Sequence, residues 1–153
     1  YKIRQDQLRH YELAQRATAG SLLNGAITSF KTELETAQRS ASGQKQPDVE
    51  WIFPSGTRAG VEVELTAKWA RDLDQFVLGC LRSLASSEER PARYGLIVLL
   101  TDSPAIRKRY LQAFEPGHSF NRWQKNVRGH WEAVSKATVP DWVTDKILCK
   151  LID

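Results

Sequence analysis

No stretch of this chain is apolar for long enough to cross a bilayer. The longest run, GLIVLL at 95–100, has the length of a strand, whereas a spanning helix needs ~20 residues. Methionine is missing altogether, the first residue is Tyr1, and no secretory leader is visible. We read the chain as a fragment of a longer protein, so the missing targeting signal excludes little. Low-complexity tracts are missing too, which speaks against long disordered segments. Cysteine is limited to Cys80 and Cys149, both inside helix-like patterns and neither at ligand spacing. That disfavours a disulfide framework or a zinc module and fits buried thiols in a reducing cytoplasm.

What is present is a core-forming composition. With 153 residues, 41% of them apolar, the chain has enough to build one core, a single domain over 1–153. Lys and Arg (22) outnumber Asp and Glu (18), and the resulting +4 suits an anionic partner such as nucleic acid without requiring one.

Apolar spacing around Leu8 and Tyr11 predicts a helix over about residues 5–18, with TAG at 18–20 as its breaker. AITSFKTELETAQRS either continues that helix or forms a strand through residues 27–31, and SASGQKQ at 40–46 reads as a polar loop. Two runs with a period of two follow, Val49/Trp51/Phe53 and Val61/Val63/Leu65, joined by PSGT. Apolar residues at 69, 73, 76, 77, 80, 81 and 84 predict an amphipathic helix over 66–86 with Thr66 as N-cap. RYGLIVLLTD reads as a strand buried on both faces. SPAIRKRYLQAF starts a helix with Ser103 as N-cap and Pro104 at the first position. Beyond it we expect a mixed segment and then a C-terminal helix from Pro140. The order predicts an α/β fold, a mixed central sheet flanked by helices.

The hairpin carries the chemistry. A five-residue connection over 54–58 would pair Phe53 with Ala59, Glu50 with Glu62, and Asp48 with Glu64, gathering four carboxylates on one exposed face. Opposed like charges are unfavourable there, and a divalent cation relieves them: carboxylates within reach of one another are the hard oxygen ligands that Mg²⁺ or Mn²⁺ prefers. The same acids can equally be a solvated face paired with Arg58, Lys68 or Arg71.

Pro47-Asp48, Glu62-Val63-Glu64 and the trailing Lys68 together resemble the PD-(D/E)XK nuclease core. Glu64 stands where that family usually has Lys, which leaves the basic role to Lys68. Gln75 in DLDQFV is similar to a glutamine some members carry. LRHYELAQRATAG, FKTELETA, QPDVEWIF, GVEVELTAK and RYGLIVLL, in that order, resemble the replication-relaxation family, which includes the MOBC-type relaxases of mobilisable plasmids.

The resemblance covers roughly residues 8–110. It implies a restriction-endonuclease-like domain nicking DNA at an origin of transfer in the bacterial cytoplasm, with mobilisation accessory proteins as partners and a DNA-binding segment upstream. It further implies Asp48 and Glu62 as Mg²⁺ or Mn²⁺ ligands, Glu64 as a ligand or general base, Glu33 as a further ligand, and Lys68 as the catalytic cation. His10 matches a histidine near the start of the family's domain. The spread of His10, His118 and His130 speaks against the other relaxase chemistry, which uses clustered histidines and a tyrosine nucleophile.

DNA contacts are expected from Arg58 and Arg71 near the site and from Arg107, Lys108 and Arg109 on the later helix. Arg122, Lys125 and Arg128 are further candidates, with Trp123 and Trp131 stacking on an unpaired strand. The alternatives are a catalytically silent DNA-binding or mobilisation accessory module, and a transposon or restriction nuclease sharing the chemistry.

Overall fold

The computed structural model describes residues 5–33, 35 and 47–152. The expected loop at 40–46 lies outside the described residues. Helix α1 (Gln5–Leu23) leads into β1 (Ser29–Thr32), β2 (Val49–Ile52) and β3 (Arg58–Val63). Helix α2 (Ala70–Leu84), strand β4 (Leu96–Thr101) and helix α3 (Pro104–Ala113) follow. The chain ends with β5 (Ser119–Lys125), β6 (Trp131–Thr138), a 3₁₀ turn (Asp141–Asp145) and β7 (Ile147–Leu151). The central sheet has the order β1-β2-β3-β4-β7, antiparallel from β1 to β3 and parallel from β3 to β7. This is the expected mixed sheet between helices.

Both faces of the sheet are buried, and strand alternation assigns each side chain to one of them. Val49, Trp51, Ala59, Val61, Val63, Val98 and Leu100 pack with Leu13 and Ala14 of α1. Ile97, Leu99 and Cys149 pack with Phe76, Val77 and Leu81 of α2 and with Ile106 and Tyr110 of α3. Glu50, Glu62 and Glu64 of the hairpin therefore share the α2/α3 side with a hydrophobic core. Among the described residues no helix is long and apolar enough to cross a membrane.

Helix α1 runs past TAG to Leu23 instead of breaking at it. Thr18 is the reason: its hydroxyl donates to the Ala14 carbonyl (2.7 Å) and accepts from the Trp51 indole N–H (2.9 Å), tying the helix to β2. The helix stops instead at Gly25, whose φ of 78° suits glycine. Of the two readings of AITSFKTELETAQRS, a strand forms at Ser29–Thr32, and residues 34 and 36–40 lie outside the described ones.

The hairpin register differs from the expected one by two positions. Observed pairs are Val49↔Val61, Glu50↔Gly60, Trp51↔Ala59 and Ile52↔Arg58. The loop is shorter than expected, residues 54–56, closed by the Phe53 N–H on Thr57 O and the Gly56 N–H on Phe53 O, both 2.9 Å, with Gly56 at φ 88°. This is the three-residue connection with a left-handed glycine. A shift of two keeps Glu50, Glu62 and Glu64 on one face, while Asp48 lies ahead of the paired residues, where the ladder turns irregular.

Thr66 caps nothing. Helix α2 begins at Ala70 after Trp69, with no side-chain cap, because the Glu64 N–H still extends the sheet on Leu100 O (2.7 Å) and Lys68 turns back to Glu64. Ser103 does cap α3, accepting from the Ile106 N–H, with Pro104 at the first turn. The C-terminal helix is absent: Pro140 opens a 3₁₀ turn, and residues 147–151 alternate as a strand, with Cys149 buried while Leu148 and Leu151 are exposed. Cys149 is thus a strand thiol; both cysteines are buried and neither is in a disulfide.

Candidate active site

Asp48 sits one residue before β2, where the ladder is irregular. Its N–H donates to Val61 O (3.0 Å), and its Oδ2 accepts from the Val63 N–H (2.7 Å). The carboxylate thus replaces a main-chain partner and is clamped against the backbone between Glu62 and Glu64. His10 of α1 brings its Nδ1 to 3.9 Å from the same Oδ2.

Glu62 is half-buried on β3, on the face of Gly60, and its charge reaches the buried Tyr94 phenol. Glu64, two residues on, is 4% exposed, and its Oε2 accepts from Lys68 Nζ at 2.6 Å. Lys68 also lies 4.7 Å above the Phe76 ring, so the ammonium is held against the core by a carboxylate and an aromatic face. Deeper still, burial pushes the Tyr110 phenol up, and the neighbouring Glu64 carboxylate adds to the shift through its charge and a hydrogen-bonding contact.

Glu50 corrects the expectation of an exposed acid: it is 1% exposed, and both Nε and a terminal nitrogen of Arg58 lie 2.7 Å from its Oε1. Arg58 was expected to face DNA; its guanidinium is the counter-ion of an interior carboxylate. The three-residue turn was the signal for this pair, since it sets Arg58 diagonal to Glu50 on one face.

Glu33 and Asp48 line a cavity of about 850 Å³ on the α1 side of the sheet, walled by Tyr11, Ala14, Leu22 and Phe30. The predicted site residues are therefore divided. Asp48 lies at the sheet's end with His10 and shares a cavity with Glu33, while Glu64 and Lys68 pair on the α2/α3 side. Glu62 is on β3, half-buried, beside Leu99 of β4. Among the described residues no three His, Cys, Asp or Glu side chains group to hold one ion. A divalent cation at this edge would have at most Asp48 and Glu62 as carboxylate ligands and would complete its shell with water and phosphate.

Of the other cations, Arg71 lies 4.8 Å from the Trp131 ring and Arg109 3.2 Å from the Trp69 ring. Arg107 donates to Cys149 O (3.1 Å), and Lys108 is exposed. Compared with models of known families, with curated proteins and with solved structures, the chain matches none.

Proposed function

We propose that the chain is the catalytic domain of a metal-dependent DNA endonuclease with a PD-(D/E)XK-like core, hydrolysing phosphodiesters in the bacterial cytoplasm. One observation carries the reading: the Asp48 carboxylate is bonded to the Val63 N–H, between the two acids of Glu62-Val63-Glu64. The element order supports it: a helix, three antiparallel strands, a helix and a parallel strand beside the third. The relaxase assignment, an origin of transfer as substrate and accessory mobilisation proteins as partners, rests on the sequence segments that resemble the replication-relaxation family.

In this reading Asp48 and Glu62 hold Mg²⁺ or Mn²⁺, which when bound would neutralise phosphate charge and lower the pKa of water. Asp48 is pre-oriented by the Val63 N–H. Glu64 holds Lys68, supplying beside the acids the cation that the third motif position lacks. The test is nicking of supercoiled plasmid with Mn²⁺. Asp48→Asn and Glu62→Gln are each expected to slow nicking by about 10²-fold or more, as losing a metal ligand removes several kcal/mol of transition-state stabilisation. Undiminished nicking by both variants contradicts the assignment.

A silent DNA-binding or accessory module is the second reading. It is favoured by the cations that already neutralise the two most buried acids, Arg58 on Glu50 and Lys68 on Glu64. Under it, Mn²⁺ produces no nicking and no binding heat.

A further inference from the structure

The ribbon of β5 and β6 belongs to neither layer of the sheet. Its base is fixed: Phe120 is 4% exposed in the core and Ala137, paired with it, packs on the same cluster. Asp74 of α2 anchors one edge, its Oδ2 accepting from the Trp123 indole N–H (2.9 Å) and the Asn121 N–H (3.3 Å). Trp131 is braced by Arg71 at 4.8 Å and Lys125 at 5.3 Å. The tip is equally well held. Asn126 Oδ1 accepts from the N–H groups of Arg128 (2.9 Å) and His130 (3.0 Å), and Gly129 takes φ 78°.

The rest is solvent-facing. Residues 131–136 of β6 are all exposed, as are Arg122, Lys125 and Arg128, and Val127 stands fully out at the tip. Over 119–138 the ribbon has four cations, Arg122, Lys125, Arg128 and Lys136, against one acid, Glu132, which is tied to Asn126 Nδ2 (2.8 Å). One extra residue on β6, Val134, faces the step between Arg122 and Trp123, and such a bulge bends a ribbon.

We propose that this ribbon is a groove-entering arm that grips double-stranded DNA through its phosphates, with the tip in the major groove. A strand of eight residues spans ~26 Å, and a major groove about 12 Å wide admits a two-stranded ribbon. Cations along both strands match the phosphates that flank that groove, and their excess over the single acid gives the complementarity. A single strand is disfavoured because its stacking platforms are reduced: Trp131 has two cations over its ring and Trp123 is half-buried. An anionic membrane is disfavoured because the exposed apolar side chains near the tip are few, Val127, Val134 and the cation-braced Trp131. The inference deepens the nuclease reading by naming the part that holds the duplex, and its test needs no cleavage.

That test is fluorescence anisotropy in EDTA, with the full chain and a labelled duplex about two turns long. Arg122→Ala, Arg128→Ala and Lys136→Ala together are expected to lower affinity roughly 10²-fold at 0.1 M salt and to flatten the slope of log K against log salt by about 2 to 3. A control removing equal charge elsewhere, Arg82→Ala, Arg90→Ala and Lys150→Ala, is expected to change affinity only a few-fold. Methyl green, a major-groove ligand, should displace the protein where the minor-groove ligand netropsin does not.

Unchanged affinity in the ribbon variant overturns the proposal. So does equal loss in the control, displacement by netropsin alone, or tighter ribbon-dependent binding to single strands or phosphatidylserine vesicles. Ribbon-dependent binding without Mn²⁺-dependent nicking would sink the nuclease reading and leave the arm standing. Nicking and binding that survive the ribbon substitutions would sink the arm alone.

Discussion

Glu50 and Glu64 are carboxylates inside a sandwich of sheet and helices, and each is matched by one cation at its rim. Removing the cation leaves a charge with little solvent around it, which costs far more than the pair contributes. Arg58→Ala is expected to lower unfolding free energy by about 3 kcal/mol, and Glu50→Gln with Arg58→Met to recover most of that, both read from urea denaturation. An Arg58→Ala variant as stable as the parent contradicts the interior pair. Lys68 is 27% exposed, so Lys68→Ala should cost less, about 2 kcal/mol, by the same measurement.

At this scale the common face of Glu50, Glu62 and Glu64 was legible, because a period of two fixes faces and a register error of two positions preserves them; the expectation that Asp48 joins that face fails, since it lines the cavity on the α1 side. Their partners were not legible. Arg58 reaches Glu50 only through the tight turn, and Asp48 finds the Val63 N–H only because the ladder is irregular where β2 starts.

At the level of elements, agreement followed the strength of local signals. Ser103-Pro104 is both a cap and a first-turn proline, and α3 starts there; Ser103→Ala is expected to cost about 1 kcal/mol. Thr66 carried the same cap signal without result, since tertiary pull on Glu64 and Lys68 keeps residues 64–69 out of the helix. The transition is made at Ala70, with φ 44°. Glycine is easier there, so Ala70→Gly should raise the thermal midpoint, by up to about 1 kcal/mol of stability. A fall in the midpoint would show that the left-handed turn is not strained.

Gly60 is the opposite case: a Cβ would meet the Tyr94 ring at 3.0 Å. Residues 119–139 and 147–151 were the least legible, being ribbon and edge strand with long polar stretches, where helical and strand periods compete without a clear winner.

For the molecule as a whole, the two-sided sheet explains both the stability and the placement of the site at its end. It also sets an alkaline limit. Burial pushes the Tyr94 phenol up to about 12 from its ordinary value near 10, with the charges of Glu50 and Glu62 adding and those of Arg93 and Arg58 opposing. The unfolded chain releases this proton near pH 10 and the folded one near 12, so between them the unfolded state binds fewer protons and stability falls as pH rises. Full stability is expected below pH 10, with a loss on the order of 2 kcal/mol toward pH 12 that Tyr94→Phe removes in part. A flat urea midpoint from pH 9 to 11.5 would contradict it. Burial raises Tyr110 in the same direction.

The net charge of +4 and the basic ribbon belong to the DNA-binding proposal, whereas the catalytic claim rests on Asp48 and Glu62. Calorimetric titration with Mn²⁺ tests that claim without DNA. Saturable binding is expected for the parent chain, and its loss in both Asp48→Asn and Glu62→Gln with the melting temperature unchanged. No heat from the parent, or equal heat from all three proteins, would contradict it.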